Sequence, residues 1–182
     1  MPNVVVISGS PSPTSLTGGV LQTIGERLVR DGHDVSLLRV RDLPAAALLA
    51  GDTGDPVLGP ALSLVAAADG VVVGTPVYKA AYSGLLKVLL DMLPQRGLAG
   101  KAVLPVATGG SQAHVLALDY ALRPVLVSLG AEYVAKGVFL HSDHATRTPG
   151  GGLIIDPEAE VFLDRATDQF GRALRATVTD PA

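Results

Sequence analysis

The chain has 182 residues, a formal net charge of −3 and no cysteine, and 48% of its residues are hydrophobic. A chain of this length can bury a full core in one domain. We therefore predict one domain over residues 1–176 and a frayed tail over residues 177–182. The small charge argues against nucleic-acid binding, and the lack of cysteine excludes disulfides and thiol catalysis.

Two features predict a cytoplasmic protein with no membrane partner. The first strand begins at the third residue, which leaves no room for a signal peptide. No uncharged apolar run reaches the roughly 18 residues of a membrane span. The longest candidate, from Leu58 onwards, is interrupted by Asp69 and by glycine and proline.

The first predicted strand leads into a loop of small and hydroxylated residues. Asn3 to Ile7 are β-branched almost throughout, which is typical of a strand buried on both faces. Ser8 to Gly19 then read S-G-S-P-S-P-T-S-L-T-G-G, and a helix follows up to Asp31. Such a loop directs N–H groups and hydroxyls to the positive end of a helix, where phosphates bind. It matches neither the dinucleotide nor the nucleoside-triphosphate glycine motif, so an ordinary capped turn is the alternative.

A second strand is predicted over Asp34–Val40 and a short helix over Pro60–Ala68. The third strand, Asp69–Gly74, ends in a loop that is stiff before any ligand arrives, because Pro76 fixes its own φ and holds the preceding residue extended. Tyr78 and Lys79 are expected at the tip of this loop, where a flat ring and a cation suit the edge of a flavin.

The next predicted helix spans Ala80 to Leu93 and carries a stripe of apolar residues at helical spacing. The stripe consists of Tyr82, Leu85, Leu86, Leu89, Leu90 and Leu93. Val88 and Met92 widen this apolar arc beyond what one sheet face needs, which indicates a partner helix and a homo-oligomer.

A second glycine loop follows the fourth predicted strand, Lys101–Ala107. It reads Thr108-Gly109-Gly110-Ser111 and opens a helix over Gln112–Leu129. Pro124 cannot donate to the carbonyl of Tyr120 four residues earlier, so we predict a kink or a π-type bulge there. A functional Tyr120 and a tyrosine packed in the core or an interface are both open.

The remaining elements complete a repeating strand–helix pattern. They are a fifth strand over Glu132–Leu140, a polar loop or arm over His141–Asp156 and a last helix over Pro157–Ala176. The pattern predicts an α/β, flavodoxin-like three-layer sandwich with a five-stranded parallel sheet of order 2-1-3-4-5. The loops after the first, third and fourth strands then meet at the switch point of the sheet, where ligands bind.

The histidines do not indicate a metal site. His141, Asp143 and His144 lie in a polar loop without a convincing fourth ligand, so we predict no metal. His114, just after the second glycine loop, is interpreted as a capping or packing residue, with a contact to flavin or nicotinamide as the alternative.

Four segments within residues 3–140 resemble the NADPH-dependent FMN reductases, and in particular the reductases of two-component alkanesulfonate monooxygenase systems. The segments are Ser8-Gly9-Ser10-Pro11, the run T-P-V-Y-K-A-A-Y-S-G at 75–84, A-T-G-G at 107–110 with Ala113-His114, and D-Y-A-L-R-P at 119–124. The second run is long enough to be specific.

The resemblance implies a set of FMN contacts. The phosphate would be held by Ser10, Ser15 and Thr17, and the isoalloxazine would lie between two groups: Pro76, Val77, Tyr78 and Lys79 on one edge and Thr108, Gly109, Gly110 and Ser111 on the other. The family usually has an arginine where Ser12 stands and a basic residue where Leu16 stands. Loose FMN binding through amides and hydroxyls is therefore expected.

The resemblance also implies the reaction, a hydride transfer from NADPH to FMN, with the reduced flavin passing to a flavin-dependent monooxygenase. The relatives in this family form homotetramers or dimers. No catalytic residue is certain, and Lys79 and Tyr120 are the candidates. Arg39, Arg41 and Arg147 remain open as partners of the NADPH 2′-phosphate.

Two other functions remain as alternatives. One is a quinone, azo-dye or metal-ion reductase that keeps FMN bound and has a roomier acceptor pocket. The other is a flavodoxin-type electron carrier, which the modest charge of −3 disfavours.

Overall fold

Five parallel strand positions form the central sheet of this computed structural model, which describes residues 1–148 and 152–179. The strands of this sheet are β1 (Asn3–Ser8), β2 (Asp34–Arg39), β3 (Gly70–Tyr78), β4 (Ala81–Tyr82), β5 (Ala102–Gly109), β6 (Tyr133–Val134) and β7 (Val138–His141), of which β4 is antiparallel. Two further strands, β8 (Ala145–Arg147) and β9 (Leu153–Ile155), form a separate sheet. The order across the sheet is β2-β1-β3-β5-β6, with β7 also paired to β5. The predicted flavodoxin-like α/β fold is thus confirmed, and the sheet differs from the predicted five strands only in detail.

Helices cover both faces of this sheet. They are α1 (Leu16–Arg30), α2 (Ala45–Ala50), α3 (Leu58–Ala67), α4 (Gly84–Asp91), α5 (Arg123–Ser128) and α6 (Pro157–Thr179). Val4 and Val6 of β1 pack with α1 and α6, whereas Val5 and Ile7 pack with the helices of the opposite face. Alternate residues of one strand therefore supply two separate cores, which explains the continuous β-branched run.

The fifth predicted strand, Glu132–Leu140, is divided into β6 and β7, and Pro105 explains the break. The N–H of Ala135 donates to the carbonyl of Val103 at 2.8 Å, so Val103 faces the fifth strand position. Residues two apart face the same neighbour, so Pro105 faces it too, without an N–H to donate. The Arg123 guanidinium donates instead to the carbonyls of Val134 and Ala135, at 3.0 and 3.1 Å.

The helix predicted to begin at Ala80 begins four residues later. β3 continues to Tyr78 and pairs antiparallel with β4 through the two-residue turn of Lys79 and Ala80. Both turn residues have positive φ, 51° and 62°, the geometry that a two-residue hairpin requires. Such backbone costs a non-glycine residue roughly 1–2 kcal/mol. Apolar spacing alone missed the turn because Tyr82 continues the helical stripe by coincidence.

The bulge predicted near Tyr120 is present. Leu118–Leu122 form a π-helical segment directly before α5. The predicted helix over Gln112–Leu129 is therefore not continuous, and it starts with a short 3₁₀ turn at Gln112–Val115. Pro124 removes one donor of the α-helical ladder, which accounts for the wider winding just before it.

The C-terminal part differs from the predicted polar loop. β8 and β9 pair as an antiparallel hairpin within the predicted arm, and residues 149–151 of that arm lie outside the described residues. α6 extends to Thr179, beyond the predicted end at Ala176. The last residues of the predicted frayed tail, 180–182, also lie outside the described part. Within the described residues, no helix has the length and apolarity needed to cross a membrane.

Candidate functional site

The three loops that the sequence predicted to converge do lie side by side at the carboxyl edge of the sheet. The N–H of Gly9 donates to the carbonyl of Gly74 at 2.8 Å, which joins the first loop to β3. Pro76 is paired in register with Thr108, which places the ends of β3 and β5 together. The hydroxyls of Thr17 and Thr108 are 2.6 Å apart and hydrogen-bonded. One connected network therefore links the loops after β1, β3 and β5.

Ser83 is the residue that holds two of these loops against α4. Its side chain is only 2% exposed. The hydroxyl donates to the carbonyl of Gly9 at 2.6 Å and accepts the N–H of Leu86 at 3.1 Å, as the N-cap of α4. Its own N–H donates to the hydroxyl of Thr75 at 2.9 Å. The backbone of the first loop is therefore held by the serine that caps α4, directly after the β3–β4 hairpin.

The first loop has the donor set that a phosphate requires. Ser15 caps α1 by accepting the N–H of Gly18 at 3.0 Å, while the N–H groups of Leu16 and Thr17 in the first turn have no partner within the helix. The hydroxyl of Ser10 is buried and acts as acceptor for the N–H of Ser12, so its proton is left to donate. No acidic residue occurs between Ser8 and Gly25. These residues fit the phosphate of FMN.

The packing around this loop demands a glycine at position 9. A Cβ on Gly9 would lie 2.6 Å from the Cβ of Leu86 and 3.2 Å from the carbonyl oxygen of Gly74. Real Cβ atoms do not approach other atoms so closely, so any side chain here would push the first loop away from α4 and β3. The shape of the loop depends on this close approach.

Two arginines distant in sequence support the same loop. Arg41 Nη1 donates to the carbonyl of Ser12 at 2.8 Å, and Arg147 Nη2 donates to the carbonyl of Ser15. Position 12, where the resemblance implies an arginine, is a serine. The structure thus brings cationic groups to the loop from the segment after β2 and from β8.

The hairpin tip forms the second side of the site. Tyr78 is 50% exposed, and Lys79 and Ala80 are exposed beside it, whereas Pro76 and Val77 are buried under the tip. The strained turn fixes these residues relative to β3, because β4 locks it by antiparallel pairing. The tyrosine ring and the Lys79 ammonium are therefore available to a ligand on the sheet edge.

The second glycine loop forms the third side. Thr108 is buried at the end of β5, Gly109 and Ser111 are partly buried, and Gly110 is exposed. A Cβ on Gly109 would lie 3.2 Å from His114 Nδ1 and 3.3 Å from the Phe139 ring. The His114 ring therefore packs directly against Gly109 of this loop. Only a four-residue 3₁₀ turn follows Ser111, so the individual N–H groups carry any stabilisation of negative charge and a long helix dipole does not.

Tyr120 lies on the π-helical segment with 79% of its surface exposed. The segment packs against β4, the second strand of the hairpin. Arg123 ties it in place by an ion pair with Asp119 at 2.9 Å. Tyr120 is thus not a core residue, and it stands near the hairpin rather than inside the network of the three loops.

His141 and His144 each pair with an aspartate close by. His144 Nδ1 lies 3.0 Å from an oxygen of Asp156, and His141 Nδ1 lies 3.6 Å from one of Asp143. These contacts serve the turn between β7 and β8, at the edge of the site.

Ser83 is a site residue outside the predicted set, although the sequence carries a local signal for it. A serine directly before an apolar helical run is the usual sign of an N-cap. Its bond to Gly9 spans 74 residues and has no local signal. The bond from Arg147 to Ser15 likewise connects residues 132 apart.

Comparison with known proteins agrees with this architecture. The sequence profile of the NADPH-dependent FMN reductase family matches residues 2–145. An FMN reductase (NADPH) of Pseudomonas putida is 48% identical over 81% of this chain and 75% of its own length. One from Escherichia coli K12 is 41% identical over 94% and 89%. The crystal structure of an apo NADH:FMN oxidoreductase superposes with a TM-score of 0.86 and 42% identity, covering 93% of this chain and 88% of that one.

Proposed function

This chain belongs to the NADPH-dependent FMN reductase family, and we propose that it transfers a hydride from NADPH to FMN at the three-loop edge of its sheet. The observation that carries this proposal is the continuous network from Thr17 through Thr108 to the strand pairing with Pro76. This network joins a phosphate-type loop to the two loops that would flank a flat ring.

The phosphate would lie at the start of α1. Its oxygens would accept from the N–H groups of Leu16 and Thr17 and from the hydroxyls of Ser10 and Ser15. The Thr17–Thr108 pair contains two hydroxyl protons but only one bond between the two oxygens. One proton of the pair therefore remains to donate.

The ring would lie between the hairpin tip and the second glycine loop. Pro76 and Val77 would support it, Tyr78 and Lys79 would bound one edge, and the backbone of Gly109 to Ser111 would bound the other. Pro76 and the paired hairpin turn hold these residues in place before a ligand binds, which reduces the entropy cost of binding.

FMN would supply the redox chemistry by accepting the hydride at N5, and this step needs no acid or base from the protein. The chain orients the two partners and stabilises negative charge. N–H groups of the second glycine loop are suited to charge on the far edge of the ring. The Lys79 ammonium is suited to attracting the phosphates of NADPH. Tyr120, next to β4, is suited to covering the hairpin.

Reduced FMN would then leave and reach a flavin-dependent monooxygenase. Support comes from the chemistry of the first loop: position 12 is a serine, and Arg41 and Arg147 donate to main-chain carbonyls of the loop. Hydroxyls and amides would therefore be the direct donors to the phosphate. Release of the product requires such moderate binding. The homo-oligomer and the cytoplasmic location stay predictions. An oligomer interface would include the exposed Tyr120 and the half-buried Val88 and Met92.

Titration with FMN and NADPH oxidation assays, with and without added FMN, test this function. A flavin-supplying reductase arrives colourless, binds FMN at micromolar strength and turns over only when free FMN is present. A protein that stays yellow through gel filtration and reduces quinones or dyes without added flavin would be a bound-flavin acceptor reductase. Absence of NADPH oxidation with flavin bound would refute both enzymatic functions.

A further inference from the structure

Three arginines from two distant segments converge on one small cleft beside the first loop. Arg39 ends β2, Arg41 follows in the short 3₁₀ turn, and Arg147 ends β8. All three line a cavity of about 130 Å³ together with Gly18, Gly19 and Gln22 of α1 and with Ser8, Pro13 and Leu37. The cleft lies between α1 and the edge strand of the sheet.

The three guanidinium groups differ in how they are held. Arg41 donates to the carbonyl of Ser12 and pairs with Asp42 at 3.2 Å. Arg147 donates to the carbonyl of Ser15. Arg39 is exposed and makes no hydrogen bond or ion pair with the described residues. Two arginines are thus anchored to the first loop, and the third carries a charge that no structural contact uses.

The charge and size of the cleft suit one phosphate group. Three arginines and Asp42 give a net charge of about +2, which matches a phosphate monoester dianion. A pocket for a whole small molecule typically measures roughly 300–1,000 Å³. At about 130 Å³ the cleft is too small for a flavin or an adenosine, so it accommodates one group of a larger ligand.

We propose that the Arg39–Arg41–Arg147 cleft binds a phosphate monoester of one of the two substrates. The inference rests on the proposed function for the identity of those substrates. The two possible sources are the 2′-phosphate of NADPH and the 5′-phosphate of FMN. Gly18 and Gly19 in the first turn of α1 line the cleft, whereas Ser10, Ser15 and Thr17 do not. The cleft therefore adjoins the cradle that would hold the FMN phosphate without sharing its hydroxyl donors, and this arrangement favours the 2′-phosphate.

Arg39→Gln is the variant that tests the cleft, because this side chain has no structural bond to lose. Calorimetry of adenosine 2′,5′-bisphosphate against 5′-AMP measures binding without requiring activity. Steady-state kinetics then compare NADPH with NADH, and FMN with riboflavin. Arg172→Gln, an exposed arginine on α6, is the matched control for loss of one charge.

Loss of one hydrogen-bonded charge on a phosphate corresponds to a roughly tenfold or greater effect. If the 2′-phosphate is the ligand, Arg39→Gln lowers the affinity for the bisphosphate and the NADPH-to-NADH ratio of kcat/KM by at least tenfold. If the FMN phosphate is the ligand, the FMN-to-riboflavin ratio falls instead. Arg39→Lys restores part of either effect, and Arg172→Gln changes neither ratio.

Two results would refute the proposal that this cleft binds a phosphate monoester. In the first, both ratios and the bisphosphate affinity stay within twofold of wild type. In the second, Arg39→Gln lowers activity equally with NADH and with riboflavin, which carry no monoester at the tested position. If the wild-type protein does not oxidise NAD(P)H, the proposed function fails, and bisphosphate binding still decides whether the cleft takes a phosphate monoester.

Discussion

Replacing Ser83 with alanine removes the contact by which α4 holds the first loop. The hydroxyl makes two buried bonds, one to the carbonyl of Gly9 and one from the N–H of Leu86. Alanine fits the space but offers neither donor nor acceptor. Both main-chain groups then stay buried without a partner, because Ser83 is only 2% exposed and water does not replace it.

The cost follows from these two losses. Removal of a serine N-cap costs about 0.5–2 kcal/mol, and a buried carbonyl left without a donor costs about 1–3 kcal/mol. We expect a total of about 2–4 kcal/mol of unfolding free energy. For a chain of this size that corresponds to a fall in Tm of roughly 4–16 °C. The affinity for FMN falls as well, since Gly9 precedes Ser10 in the phosphate loop.

Urea unfolding of Ser83→Ala against wild type measures the free energy, and fluorescence titration measures FMN affinity. Ser63→Ala is the matched control: its exposed hydroxyl bonds only to the carbonyl of Gly59 in α3, so the change should stay within about 0.5 kcal/mol. A loss below 1 kcal/mol for Ser83→Ala, or unchanged FMN affinity, would refute the coupling between α4 and the first loop.

Three further predictions concern the packing at Gly9, the Thr17–Thr108 hydroxyl pair and the buried His33. Gly9→Ala should destabilise the fold by about 1–3 kcal/mol through overpacking and weaken FMN binding in the same titration. Gly84→Ala, with open space around its Cβ, is the control and should be neutral or stabilising. An equal free energy of unfolding and an equal FMN affinity for the two variants would contradict the close approach at Gly9. Thr17→Val alone should lower the free energy of unfolding in urea by about 1–3 kcal/mol, because the buried hydroxyl of Thr108 loses its partner. Adding Thr108→Val should recover part of that loss. Strictly additive effects in the double variant would show that the two hydroxyls are not coupled. Burial lowers the pKa of His33 below its usual 6.5, with Asp31 opposing that shift. The unfolded chain therefore binds the proton more tightly, and the free energy of unfolding should fall as the pH drops below about 6.5. His33→Gln should flatten this pH dependence in urea midpoints measured from pH 8 to pH 5, and an identical slope in the variant would rule out His33 as its cause.

Local features of the sequence were enough for the alternation of strands with helices and for the edge of the sheet where the three loops meet. The β-branched run in β1 predicted a strand buried on both faces, and alternation of strands with helices predicted the layers. Pro124 predicted the irregular winding near Tyr120, because the loss of a donor acts within one helical turn. The same reasoning placed the loops of Ser10, Tyr78 and Gly109 together, since carboxyl ends of parallel strands share one edge.

Features that depend on contacts across the sheet needed the tertiary structure. Pro105 divides the fifth strand only because its backbone faces that neighbour, and neither segment shows this by itself. The bond between Thr17 and Thr108, the anchoring of Gly9 by Ser83 and the arrival of Arg147 at Ser15 each join residues far apart in sequence. Side-chain periodicity reports which face of an element is apolar. The partner that this face meets, and the cleft that three distant arginines form, arise only when the layers pack.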